Sequence, residues 1–267
     1  MQYNPSPSGG EGVSPTSRTF TLVQHNCLGS WDVFPSLFGS FSQLTQASSV
    51  VALQDPPVYR GKLPSSQHYT SFSPPSMGNK KPRVAFYVFA SFLSTVTLLP
   101  WFFDRGDIMA LDLFTPDGFF SPSMTSFTII NSYRTKGRSN NTRSVLPDLI
   151  FPNLPGPTLI LGDLNVHHPT ADPLRSFKED ELATSIPYFD RATELGFTLL
   201  NMPGVYTRFS MSLVGRPGVL DLAFACPLLA SYFSEWSEPL PSTGSDRMPI
   251  VLCFDAPLFR ATPPKTN

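Results

Sequence analysis

The stretch LILGDLNVHHP, residues 159–169, decides how this chain is read. An apolar run over residues 158–161 is stopped by Gly162-Asp163-Leu164-Asn165, so a strand carries a carboxylate and an amide at its end. Alternation along an extended chain puts Asp163 and Asn165 on one side, where together they can position a water and hold a phosphoryl oxygen. The competing reading is an Asp/Asn turn that closes the strand, the default for such a tetrapeptide taken alone. His167 and His168 follow as a polar loop pair.

Outward from this segment the chain is mostly strand. Residues 20–24 (FTLVQ) and 49–54 (SVVALQ) are apolar strands, and the second is stopped by Asp55-Pro56-Pro57, which leaves Asp55 at a strand end. Further short apolar runs lie at 108–114, 127–132, 197–200, 220–225 and 249–254. Trp31, Phe34, Phe38, Phe41 and Leu44 recur at helical spacing and predict a helix over 31–47. A second helix is predicted over 187–195, with Pro187 at its start and Gly196 as its stop. Residues 84–103 carry no charge and are about as long as a membrane span. Ser91, Ser94, Thr95, Thr97 and Pro100, with the Val, Phe and Tyr around them, favour two buried strands separated by a turn. Runs of strands with only two or three helices between them point to the α+β class: a four-layer α/β/β/α sandwich of two packed mixed sheets flanked by helices.

The 267 residues are read as one domain, 19–255, between a Pro/Ser/Gly-rich tail at 1–18 and a polar, Pro-rich tail at 256–267. Hydrophobic residues make up 41% and charged residues 15%, too apolar for general disorder, while 29 prolines disfavour a helical bundle. A net charge of −1 gives no global attraction to nucleic acid, so any such binding needs a local basic rim. Cys27, Cys226 and Cys253 lack the close spacing of a zinc site and suit a reducing compartment, and residues 1–17 lack the features of a secretory signal. An intracellular monomer, cytoplasmic or nuclear, is the expectation.

Five segments, in order, resemble the motifs of the endonuclease/exonuclease/phosphatase superfamily, the exonuclease III and apurinic endonuclease group. LVQHNC with Asn26 looks like its first strand, VVALQDP like the strand that ends in a metal-binding carboxylate, and INSYR with Tyr133 like its Tyr strand. GDLNVHHP looks like the GDxN signature, in the form LINE-type retrotransposon endonucleases carry, and LDLAFA with Asp221, followed by GSDRMPI, like the closing motifs. The resemblance implies that Asn26 and Asp55 lie around a divalent ion, Mg²⁺ or Mn²⁺, with Asp55 the main anchor and Asp246 completing the acidic end. It implies that Asp163 orients or deprotonates the attacking water and that Asn165 and Tyr133 hydrogen-bond the phosphate. Asp221 would orient a histidine in the last motif.

That histidine is replaced. The expected Ser-Asp-His reads Ser245-Asp246-Arg247, and a guanidinium stays protonated at any working pH, so it cannot act as a base. Losing general acid–base help costs on the order of 10²–10⁴ in rate. Arg247 can instead pair with Asp221 or clamp a phosphate. The usual glutamate is Asp55, one methylene shorter, which a bridging water can offset. His25 should point away from Asn26, for packing or the surface. Arg134, Lys136, Arg138 and Arg143, and separately Lys80, Lys81 and Arg83, are either backbone-phosphate contacts or solvated loops. DNA is the substrate the resemblance favours. Three functions fit: a metal-dependent endonuclease, a catalytically silent nucleic-acid-binding relic, or a phosphatase or phospholipid diesterase on the same scaffold.

Overall fold

Short apolar runs lay down twelve strands among the described residues, which the computed structural model arranges as two six-stranded sheets. It describes residues 18–44, 48–75, 81–90, 95–99, 105–115, 119–135, 146–209, 216–237 and 245–256. The first sheet contains β1 (Arg18–Asn26), β2 (Ser48–Gln54), β3 (Tyr69–Phe72), β4 (Val84–Phe89), β11 (Phe233–Ser237) and β12 (Ile250–Ala256), in the order β11-β12-β1-β2-β4-β3. The second contains β5 (Thr95–Leu98), β6 (Ile108–Phe114), β7 (Ser126–Tyr133), β8 (Thr158–Asp163), β9 (Thr198–Leu199) and β10 (Asp221–Ala225), in the order β5-β6-β7-β8-β10-β9. Each sheet holds one parallel pair, β1 with β2 and β7 with β8; the other ladders are antiparallel.

Alternate residues of the central strands face two different cores. Phe20, Val50, Phe86, Leu111, Ile129 and Leu252 fill the space between the sheets. On the outer face of the first sheet, Val51, Leu53 and Tyr87 pack beneath helix α1 (Val33–Leu44) through its Val33, Phe34 and Leu37. On the outer face of the second, Ile130, Ile160 and Phe224 pack beneath Tyr188, Phe189 and Ala192 of α3 (Glu179–Glu194). Two one-turn helices, α2 (Pro147–Ile150) and α4 (Pro227–Ala230), cover strand ends through buried Ile150 and Leu229. This is the expected α/β/β/α sandwich.

Several expectations need correction. Trp31 precedes α1 and is 47% exposed; the helix begins at Val33, which is buried with Phe34 and Leu37. Helix α3 starts at Glu179, not Pro187, which lies in its interior. Its start is set by Glu181, whose carboxylate accepts the Lys178 backbone N–H at 3.1 Å, and by three acidic residues in the first turn that suit the helix dipole. Residues 84–103 do give two strands, but these lie in different sheets, and β5 is an edge strand with Thr97 exposed. β3 and β11, short and half-exposed, carry too little apolar signal to be foreseen.

Gly162 explains one letter of the deciding segment. It sits opposite Ser132 in the parallel β7/β8 ladder at φ +153°, and a Cβ there would drive into the Ser132 carbonyl. Gly162→Ala should therefore destabilise the domain by about 3 kcal/mol in urea unfolding, from a clash with backbone that cannot yield; an unchanged midpoint would show that the two strands can separate.

Candidate active site

The two parallel pairs finish at the same edge of the sandwich, and side-chain amides bind them across the sheets. Gln54 Nε2 donates to Asn131 Oδ1 at 2.7 Å, and Asn131 Nδ2 donates to the Leu53 and Ala85 carbonyls at 3.0 Å each. Asn26 Nδ2 donates to Asp163 Oδ2 at 2.7 Å. All four side chains are buried, so each bond removes a polar group that would otherwise be stranded.

Asp163 and Asn165 do meet on one side, through a turn and not by extended alternation. The strand ends at Asp163, whose Oδ1 accepts the Asn165 backbone N–H at 3.0 Å, and Asn165 takes φ +48°, which asparagine tolerates. The turn reading and the site reading thus hold together. Asn165 Nδ2 donates to the Arg134 carbonyl at 2.7 Å, and Arg134 Nη1 returns a bond to the Asn165 carbonyl at 3.2 Å. Arg134 therefore buttresses the turn, its guanidinium 5.8 Å from the Tyr188 ring centre. Of the basic cluster read after Tyr133, Lys136, Arg138 and Arg143 lie outside the described residues, as does Lys80.

Asp221 stands directly opposite Asp163 in the antiparallel β8/β10 ladder, and both side chains are buried. Like charges so placed repel and need a cation. Arg247, 6% exposed, supplies it: Nη2 lies 2.7 Å from Asp163 Oδ2, Nη1 3.0 Å from Asp221 Oδ2 and Nε 3.4 Å from Asp246 Oδ1, with Asn165 Oδ1 3.5 Å from Nη2. Asp246 is shared with Arg208 Nε at 3.2 Å. Burial lifts the Asp221 carboxyl above the usual carboxylate range and Asp163 adds to this, while Arg247 and the Thr207 hydroxyl oppose it. Burial alone would lower the Arg247 guanidinium, but Asp221, Asp163 and Asp246 reverse this and raise it. Arg247 thus pairs with Asp221, one of the two roles read from sequence.

Asp55 sits at the end of β2 with φ +42° and is ion-paired with Arg83 Nε at 3.1 Å and Lys81 Nζ at 3.4 Å. The Arg83 guanidinium lies over the Tyr133 ring, 4.3 Å from its centre. Burial raises the Tyr133 phenol, with Arg83 opposing, so it stays a protonated donor at neutral pH. The divalent ion that the resemblance implies does not fit this arrangement. Asp55, Asp163 and Asp246 each already face a cationic side chain, Asn26 is engaged through Nδ2 with Asp163 and through Oδ1 with the Leu28 N–H, and among the described residues no three His, Cys, Asp or Glu side chains gather as metal ligands.

Sequence reasoning missed Thr207 and Arg208 here. His25 is buried, the packing alternative of its two; burial and the Arg247 charge push its pKa down to about 3, while the Met248 backbone opposes this. Its alternation away from Asn26 gave no hint that Arg247 would be near. Thr207 Oγ1 accepts the Leu220 and Asp221 N–H groups at 3.0 Å each, from a stretch with no motif. His168 stacks on Phe189 at 3.7 Å and accepts the Thr170 N–H, and His167 packs over Gly218, as a structural loop pair.

No protein-family model and no curated protein matches the sequence. Solved structures do match the fold. The endonuclease domain of TRAS1, a telomere-specific non-LTR retrotransposon, is similar with TM-score 0.63 and 18% identity, over 88% of this chain and 98% of that one. The AP endonuclease LMAP from Leishmania major gives 0.65 and 17%, over 90% and 89%. The 3′ phosphatase NExo from Neisseria, bound to a product DNA hairpin, gives 0.63 and 13%, over 88% and 99%. The fold is therefore the two-sheet sandwich that these solved structures share.

A histidine kept neutral by the fold gains its proton only on unfolding, so stability falls as pH drops from about 6.5 towards 3. Urea unfolding of the parent should lose about 1.4 kcal/mol per pH unit more than His25→Phe across that window. Equal slopes would mean that His25 is protonated in the folded protein.

Proposed function

We propose that this chain is a DNA-directed phosphodiesterase domain of the retroelement endonuclease type whose hydrolytic step is disabled. One observation carries the proposal: Arg247 Nη2 lies 2.7 Å from Asp163 Oδ2 in a site closed to solvent. Phosphodiester hydrolysis needs a group to take the proton of the attacking water. Asp163 would be that group, but its oxygens already accept from Asn165 N, Asn26 Nδ2 and Arg247, and Arg247 holds it turned inward. Arg247 itself carries its proton permanently. What remains is a binding face: Tyr133 as a phenolic donor beside Arg83, at the end of β7. The likeness to the retrotransposon endonuclease domain and to the AP endonuclease supports DNA as the ligand.

Nicking of supercoiled plasmid in Mg²⁺ or Mn²⁺ tests this, with the parent, Asp163→Ala, Arg247→His and a chelator control. The parent should nick no faster than Asp163→Ala while still retarding DNA in a gel, and Arg247→His should raise the rate on the order of 10²-fold or more. Parent nicking that vanishes in Asp163→Ala and with chelator would establish a working metal-dependent nuclease. Absence of DNA affinity would point to another phosphate ester, and an inert Arg247→His would show that more than the base is lost.

A further inference from the structure

Two cations converge on one carboxylate at the end of β2. Asp55 Oδ1 lies 3.1 Å from Arg83 Nε and 3.4 Å from Lys81 Nζ, so this corner carries one more positive charge than it neutralises. Both cationic side chains remain open to solvent, Arg83 by 31% and Lys81 by 39%. The Arg83 guanidinium carbon lies 4.3 Å from the centre of the Tyr133 ring, a cation–π contact that helps hold the group in place. Gly29, at φ +70°, floors the corner: a Cβ there would stand 3.0 Å from Lys81 Nζ, so a side chain would make the ammonium shift, and the positive φ itself favours glycine. A preset guanidinium fork beside an ammonium is a donor set matched to phosphate oxygens.

We infer that Arg83 and Lys81 form a phosphate clamp that works without a divalent ion, with Asp55 as its latch. The inference rests on the reading that this domain binds DNA. In a site where a metal bridges protein and phosphate, the carboxylate at the end of β2 holds the metal and its neutralisation weakens binding. Here that carboxylate competes with phosphate for two cations already present, so neutralising it releases them. Asp55→Asn is a clean probe, because asparagine accepts the positive φ that position 55 adopts.

The test is fluorescence anisotropy of a labelled 20-base-pair DNA duplex at constant ionic strength, in EDTA and in Mg²⁺, with thermal unfolding to check each variant's fold. The parent Kd should agree within about twofold between EDTA and Mg²⁺. Asp55→Asn should bind about threefold tighter or better. Arg83→Gln should bind about tenfold weaker, with the salt dependence reduced by roughly one counterion. Lys81→Gln, at the most exposed of the three positions, should shift in the same direction and serves if Arg83→Gln is unstable. Parent binding that needs Mg²⁺ and is lost in Asp55→Asn would overturn the clamp, make Asp55 a metal ligand and leave the DNA reading standing. Binding indifferent to both cation variants would also overturn the clamp and keep that reading. No DNA binding by any variant would overturn both.

Discussion

Two buried carboxylates, Asp163 and Asp221, face each other across neighbouring strands, and the organisation of the site follows from the need to neutralise them. Their positions are set by the β8/β10 register, which places residue 163 opposite 221 once the apolar faces of both strands are buried. A one-residue register slip would relieve the repulsion only by exchanging the side chains that a strand sends into the two cores. The charge must therefore be met in place, and Arg247 meets it from the segment just before β12. Arg247 and Arg208 face three carboxylates, Asp163, Asp221 and Asp246, and the Asp221 carboxyl is pushed up chiefly by its burial, with Asp163 adding to this against Arg247.

The choice of cation decides the chemistry this scaffold can perform. An imidazole facing Asp221 would exchange its proton near neutral pH, whereas a guanidinium cannot and is held in place by its fork geometry. The same substitution of fixed side-chain charge recurs at the end of β2, where Arg83 and Lys81 flank Asp55. Both acidic corners thus meet cationic side chains from within the chain. The cross-sheet amides of Asn26, Gln54 and Asn131 join the edges that carry these corners, so the charges sit on a rigid platform.

Much of this was legible in the sequence because it is local. Strands such as β6 at 108–114 showed as apolar runs, and Gly162-Asp163-Leu164-Asn165 announced a strand end with polar side chains. The departure at Arg247 was also legible, since a resemblance in order shows what a position should have held. What escaped depends on distant partners. Nothing in residues 81–83 says that both cations turn back onto Asp55, because that contact is made by pairing β2 with β4. The tether of Arg134 to the Asn165 carbonyl also escaped, because its partner is distant in sequence. Helix α3 was cut short because Pro187 looks like a start when the acidic turn before it is not weighed.

The most direct measurement is the unfolding free energy, by urea titration at pH 7, of Arg247→Met beside the triple variant Arg247→Met/Asp163→Asn/Asp221→Asn. Removing one partner from a buried ion cluster leaves charge uncompensated, so Arg247→Met should lose about 3–5 kcal/mol, and neutralising both carboxylates should recover most of it. An Arg247→Met protein as stable as the parent, or a triple variant no better than the single one, would contradict the claim that Arg247 is the internal counter-charge on which the site depends.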